Sequence, residues 1–226
     1  SGRFLISFNG EIYNHFDLRK KINNRNKIDW KSSSDTETLV NLFDYYDIET
    51  TLNMVEGMFS FILFDKKYKK LILARDAAGE KPLYINFGNS FIIISSDLFS
   101  IQSFPKFEED ISQKSLNKYF NLNYIPSPNT IYENTFKLPA ATYITVSCDN
   151  FNFIKVSDLN QLKEIKSTEY KKWWDIKLDK NKYKNLNKHE FKSLVSNKLK
   201  ESIKNQLISD VPLGAFLSGG IDSSLI

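Results

Sequence analysis

Glu56-Gly-Met-Phe-Ser-Phe-Ile-Leu-Phe-Asp65 runs directly into Asp65-Lys-Lys-Tyr-Lys-Lys70 and then Lys70-Leu-Ile-Leu-Ala-Arg-Asp76. Two short apolar runs flank a charged turn, the pattern of a hairpin with a bulky face to bury. Outward from it, Gly79-Glu-Lys-Pro-Leu-Tyr84 leads into a third strand, and Ser90-Phe-Ile-Ile-Ile-Ser95 is a fourth. An antiparallel meander is expected, covered by helices on at least one face. Upstream, Phe4-Leu-Ile-Ser-Phe8 is a strand ending at Asn9, and Leu18 and Ile22 mark an amphipathic helix from about Asn14 to Asn23. A second helix is expected from Thr38 to about Tyr46, with Ser34 and Glu37 as its capping box. Downstream, Ser95-Ser-Asp97 caps a short helix and Ser112 to Leu122 is another. The class is α+β.

Composition narrows the field. Of 226 residues, 41% are hydrophobic, enough for a packed core, and 18 Phe with 11 Tyr favour β structure. A net charge of +4 with lysines interspersed among acids does not recommend nucleic acid. Cys148 is the single cysteine, and His15 and His189 stand apart, so neither a disulfide framework nor a metal site is expected. No apolar run reaches membrane-spanning length and no signal peptide is present, so a cytoplasmic protein is expected.

The final stretch, Val211-Pro-Leu-Gly-Ala-Phe-Leu-Ser-Gly-Gly-Ile-Asp-Ser-Ser224, carries the clearest chemistry. It reads as a strand over Val211–Leu217, a tight turn at Ser218–Asp222 and a helix opening at Ser223. Adjacent glycines let the backbone take positive φ and approach a ligand closely. Unpaired N–H groups at the turn and helix start, with the hydroxyls of Ser218, Ser223 and Ser224, make an anion site. A Walker A loop does not fit, because no lysine follows the glycines. Before this stretch, His189 to Ile208 reads as a helix with an apolar stripe, and helix, strand, loop and helix together open an α/β nucleotide-binding domain.

Ser218-Gly-Gly-Ile-Asp-Ser223 resembles the pyrophosphate-binding loop of ATP-pyrophosphatase enzymes, and the longer string from Ser209 to Ser224 resembles the glutamine-hydrolysing asparagine synthetases. Asn9-Gly-Glu-Ile-Tyr-Asn14 resembles a signature of class II glutamine amidotransferases, and Ser34-Asp-Thr-Glu37 another segment of that family. Arg75-Asp76 with Gly79–Tyr84, and Phe136–Val146, resemble further family segments; the former reads physically as a charged sheet rim beside a Pro-defined turn.

The resemblance implies an N-terminal-nucleophile (αββα) glutaminase layer sandwich lacking its first segment, over residues 1–156. A Lys-rich linker over 157–187, marked by its change of composition, would dock its tryptophans, Trp173 and Trp174, onto one domain or the other, and residues 188–226 would start the ATP-pyrophosphatase domain. By the same resemblance, the Asn9 amide and the Gly10 N–H form an oxyanion hole, Glu11 helps bind glutamine and Asp35 binds its α-amino group. Phe216, where the family has leucine, lies near adenine, and Ser218, Gly219, Gly220, Asp222 and Ser223 hold ATP with Mg²⁺. Glutamine, aspartate and ATP are the implied small-molecule partners, with no nucleic acid and no membrane; a homodimer is left open. Ammonia from glutamine would displace AMP from a β-aspartyl-adenylate, giving asparagine.

Two departures qualify this. The family's nucleophile is an N-terminal cysteine activated by its own amino group; Ser1 here lies in a segment matching the family just upstream of the oxyanion motif and is no substitute. The family arginine for the glutamine carboxylate is also not in this chain. The chain is therefore expected to be an internal piece of a longer protein, inactive alone. Two alternatives stay open. One is a related ATP-dependent amidotransferase, β-lactam synthetase-like or acting on a surface-polysaccharide sugar acid. The other is a non-catalytic nucleotide-binding module.

Overall fold

A computed structural model describes residues 2–24, 27–150, 155–179, 181–209 and 211–226. The chain divides into two compact units, Ser1–Asp175 and Ile176–Ile226, each taken by itself.

In the first unit, β1 (Phe4–Ile12), β2 (Gly57–Asp65), β3 (Lys70–Arg75), β7 (Thr142–Ser147) and β8 (Thr168–Lys172) form one antiparallel sheet in the order β1-β2-β3-β7-β8. A second antiparallel sheet holds β4 (Tyr84–Phe87) between β5 (Ile92–Ser95) and β6 (Thr135–Lys137). The expected four-strand meander is thus split: the first hairpin belongs to one sheet, the next two strands to another.

Strand alternation explains the layering. On one face of the large sheet, Phe4, Ile12, Phe59, Phe61, Leu63, Ala74 and Tyr143 pack beneath α1 (His15–Asn23), α2 (Asp35–Tyr45) and α3 (Ile48–Met54), which contribute Leu18, Ile22, Leu39, Leu42 and Leu52. From the other face, Leu73, Ile144 and Val146 meet Ile85, Phe87 and Phe136 of the small sheet. Helices, sheet and sheet make three packed layers. Beyond β5, α4 (Leu98–Gln102) is capped by Asp97, as expected, and α5 (Gln113–Leu122) by Ser112.

Three boundaries differ from expectation for identifiable reasons. Strand β1 continues through Asn9-Gly10-Glu11 to Ile12, because β2 pairs with it over its full length. Helix α2 starts at Asp35, not Thr38, and the box is not reciprocal. Ser34 Oγ accepts from Thr36 N–H, whereas the Glu37 carboxylate accepts from the N–H groups of Lys31 and Ser32. Helix α3, unanticipated, is held by Asp47 accepting from Thr50 N–H.

The segment expected to be a linker contributes to the core. Leu159 and Leu162 are fully buried, and β8 closes the large sheet beside β7. The expected partner of β7 at 151–156 lies mostly outside the described residues; β7 pairs with β3 and β8. Of the two tryptophans expected to dock, Trp173 does so, stacked on Phe59, whereas Trp174, against expectation, stays exposed. The compact unit includes this stretch and runs to Asp175.

The second unit contains α6 (Lys188–Gln206) and the short α7 (Ile221–Leu225). Asn187 caps α6 with a reciprocal Glu190 capping box. The expected strand at 211–217 is not formed, since no strand among the described residues pairs with it. No helix among the described residues is long and apolar enough to cross a membrane.

Candidate functional site: a glycine at a sheet edge

Hydrogen-bond phase decides where the motif at Asn9–Asn14 points. Tyr13 N–H donates across to Glu56 O at 2.7 Å. Counting back along an antiparallel pair, Glu11 also bonds across to β2, whereas Ile12 and Gly10 turn their N–H and C=O away from it. Gly10 stands opposite Phe59. Phe59 in turn is committed to the far side: its C=O accepts from Asp76 N–H at 2.8 Å and its N–H donates to Asp76 Oδ2 at 3.2 Å. Because β1 is an edge strand, Gly10 presents its N–H at the margin of the sheet. The Ile12 N–H, two residues along the same margin, donates to Asp35 Oδ2 at 2.9 Å.

Only glycine fits at position 10. A Cβ there would lie 2.1 Å from Met58 O and 2.6 Å from Phe59 Cα, both backbone atoms, and φ is +154°. The close approach is the narrow, non-hydrogen-bonded pair at its tightest.

The alternate positions Asn9, Glu11 and Tyr13 face away from the helices. Asn9 Nδ2 donates to Ser96 Oγ at 3.1 Å, bringing in a residue 87 positions away. Burial and then the negative charge of Glu80, Glu11 and Asp76 push the Tyr13 phenol above its ordinary range. Asn14 closes the motif by donating to Met54 O and accepting from Glu56 N–H. Asp35 also accepts at Oδ1 from the N–H and hydroxyl of Thr36. Acidic groups therefore collect at this end of β1, a setting that favours an ammonium group. His15, outside the motif, is the first residue of α1; burial holds its imidazole below its ordinary range.

Arg75 and Asp76 are not a charged rim. They are 7% and 1% exposed. The Arg75 guanidinium donates to three carbonyls, those of Gly79, Lys81 (2.7 Å) and Leu138 (2.6 Å). Burial pulls it below its usual range while Asp76 opposes that. The Asp76 carboxylate accepts three backbone N–H groups, from Phe59, Glu80 (2.9 Å) and Lys81 (3.0 Å). Its backbone C=O accepts from Gly79 and Ala141 N–H. Sequence reasoning missed Asp76, Glu80 and Ser96. An Arg-Asp pair ending an apolar strand was the available signal for the first; nothing local marks Ser96.

In the second unit the glycine loop is open. Gly219 has φ +77° and a Cβ there would meet nothing within 4 Å. Ser218 Oγ and Ser223 Oγ lie 2.9 Å apart, and Ser223 Oγ donates to Gly220 O. The helix starts at Ile221 with Gly220 as its cap, two residues before the expected Ser223. Asp222 is exposed and Phe216 fully so. The loop turns as the sequence suggests, but its hydroxyls bond one another.

Residues 1–156 match the family described as glutamine amidotransferase domain, and residues 194–226 the family described as asparagine synthase. A Methanocaldococcus jannaschii protein provisionally named asparagine synthetase (glutamine-hydrolyzing) 2 is 34% identical over 98% of this chain and 39% of its own length. Asparagine synthetase (glutamine-hydrolyzing) 1 of Bacillus subtilis is 29% identical over 99% of this chain and 32% of its own. The chain thus spans well under half the length of these relatives. Among solved structures, glutamine phosphoribosylpyrophosphate amidotransferase from B. subtilis, complexed with ADP and GMP, aligns at a TM-score of 0.50 and 15% identity. That alignment covers 76% of this chain and 29% of that one, and the likeness is one of fold.

Proposed function

The chain belongs to the class II glutamine amidotransferase family, with a short asparagine synthase segment following, and from that premise we propose that it is the glutaminase part of a glutamine-dependent asparagine synthetase. In this reading its first unit is an N-terminal-nucleophile sandwich of the αββα type, of which the helix, sheet and sheet layers are those described above. Of the expected linker 157–187, the part to Asp175 packs onto this unit and the rest leads to the start, over 188–226, of an ATP-pyrophosphatase domain.

The observation that carries the proposal is the Gly10 N–H turned out at the edge of the sheet beside the Asn9 side-chain amide. Two donors held by a rigid strand suit a carbonyl oxygen that gains negative charge under attack. Asp35, which accepts from the backbone N–H two residues further on, would take the α-ammonium of glutamine, with Glu11 adding to the same acidic surround. The nucleophile itself is no described residue of this chain.

For the second unit we propose that Ser218, Gly219, Gly220, Asp222 and Ser223 hold the phosphates of ATP, with Mg²⁺ at Asp222 and adenine near Phe216. The bare glycine turn supports this, because nothing blocks a phosphate from reaching its backbone. ATP would supply activation of a carboxylate. The residues here would only bind and orient it, once the Ser218–Ser223 hydroxyl contact gives way to the ligand.

The test uses the full coding product. Supplied with glutamine, aspartate and ATP it should release ammonia, AMP and asparagine; absence of all three sinks the proposal. Asn9→Ala should lower kcat for glutamine about 10²–10³-fold, the usual loss for one oxyanion donor. Asp222→Ala should impair AMP formation and leave glutamine hydrolysis largely intact; equal loss of both contradicts a division of labour between the units.

A further inference from the structure

We propose that Asp76 is a positioning residue for the glutaminase site, acting through Phe59 on the direction of the Gly10 N–H. The inference rests on the glutaminase reading above. Strand β3 ends at Arg75, one residue short of the level of Gly10. At that level the next residue's own carbonyl is unavailable to β2, because it accepts from Gly79 and Ala141. The Asp76 side chain supplies the acceptor in its place, taking the Phe59 N–H on Oδ2. With the Asp76 N–H donating to Phe59 O, both polar groups of Phe59 are held toward β3. An antiparallel residue committed to one side leaves its opposite neighbour to point the other way. That neighbour is Gly10, pressed against Phe59 with no room for a side chain.

The same carboxylate reaches the second half of the site. Its bonds to Glu80 and Lys81 N–H fix the 79–81 turn, whose Glu80 bears on Tyr13 within the Asn9–Asn14 motif. Arg75 holds this turn from the other side through the carbonyls of Gly79 and Lys81. Trp173 locks the knot from outside: its Nε1–H donates to Arg75 O at 3.1 Å and its ring stacks on Phe59. A buried carboxylate with three backbone N–H donors has no geometric substitute among the other side chains, since an amide offers a single oxygen.

Asp76→Asn separates the possibilities. In the isolated chain, amide exchange should quicken at Phe59, Glu80 and Lys81, and the Gly10 amide resonance should shift, while amides of α1 and α2 keep their protection. In the full coding product, kcat for glutamine should fall about 10–100-fold, a fraction of the loss for an oxyanion donor removed outright, with KM changed less than threefold. The double variant with Asn9→Ala should lose less than the product of the single losses, because both act on one pair of donors. An unmoved Gly10 resonance, or multiplicative losses, overturns the inference. Should Asp76→Asn fail to fold, Asp76→Glu keeps the charge but displaces it; full kcat in that variant also overturns it, whereas lowered kcat with native protection supports it. If the unaltered enzyme releases no ammonia, the glutaminase reading fails on its own and the Gly10 and Phe59 amides still decide this inference.

Discussion

Gly10 and Gly219 both sit in motifs rich in polar groups, yet their settings are opposite. Gly10 is clamped in a strand whose neighbour's backbone would collide with any Cβ, whereas Gly219 turns in open space. The first glycine is required by what surrounds it, the second by its own backbone angle. The units that carry them differ likewise. Around Gly10, aromatic rings interlock: Phe61 lies 5.6 Å from Phe43 and 5.9 Å from Phe59. Helix α6 of the second unit has no buried residue. One motif is therefore pre-formed by packing before any ligand arrives, and the other depends mainly on local turn geometry. Preorganisation is worth most where charge develops during a reaction, so under the proposed function the first motif is the one suited to an oxyanion.

The contrast can be broken by mutation. The largest effect should come from Phe61→Ala, a side chain 1% exposed, at about 3–5 kcal/mol of stability. Val195→Ala on α6, 41% exposed, should stay within about 0.5 kcal/mol. Denaturant unfolding followed by tryptophan fluorescence measures both, and similar losses would erase the difference between the units.

Next, Gly10→Ala should cost on the order of 3 kcal/mol, because backbone must move to admit the methyl group. Gly219→Ala should cost about 1–2 kcal/mol of local turn stability, from its positive φ alone. It should leave the unfolding midpoint of the first unit where it was. A Gly10→Ala protein with an unchanged midpoint would refute the tight pairing with Phe59.

The smallest effect concerns His15, which follows the first motif as the first residue of α1. Its folded pKa lies below the ordinary 6.5 because burial disfavours the cation. Between the two values the unfolded chain binds more protons, so stability rises with pH through that window, is complete above 6.5 and declines as pH falls toward the folded pKa. His15→Gln should flatten this part of the stability profile. An unchanged slope would mean that another group carries it.

Much of the chain was legible from pattern. The β2–β3 hairpin, α1, α5 and the caps at Asp97 and Ser112 follow from periodicity and from side chains that bond their own neighbouring backbone. The Lys-rich stretch after Val156 was not. Its few apolar residues, Leu159, Leu162 and Trp173, carry no repeat of their own and gain meaning only against partners far away in sequence. The reading of Val211–Leu217 as a strand erred in the opposite way, since an apolar run becomes a strand only where another strand accepts its hydrogen bonds.

Taken by itself, the sequence determined that this chain carries strands, helices and two glycine motifs in a given order, because those depend on contacts a few residues long. Tertiary structure alone decided which way the Gly10 N–H points, that Arg75 and Asp76 are buried across β2 from it, and that Ser96 stands beside Asn9. Each of those is a matter of strand register and of which layer covers which face, and register is settled by the joint burial of side chains distant along the chain.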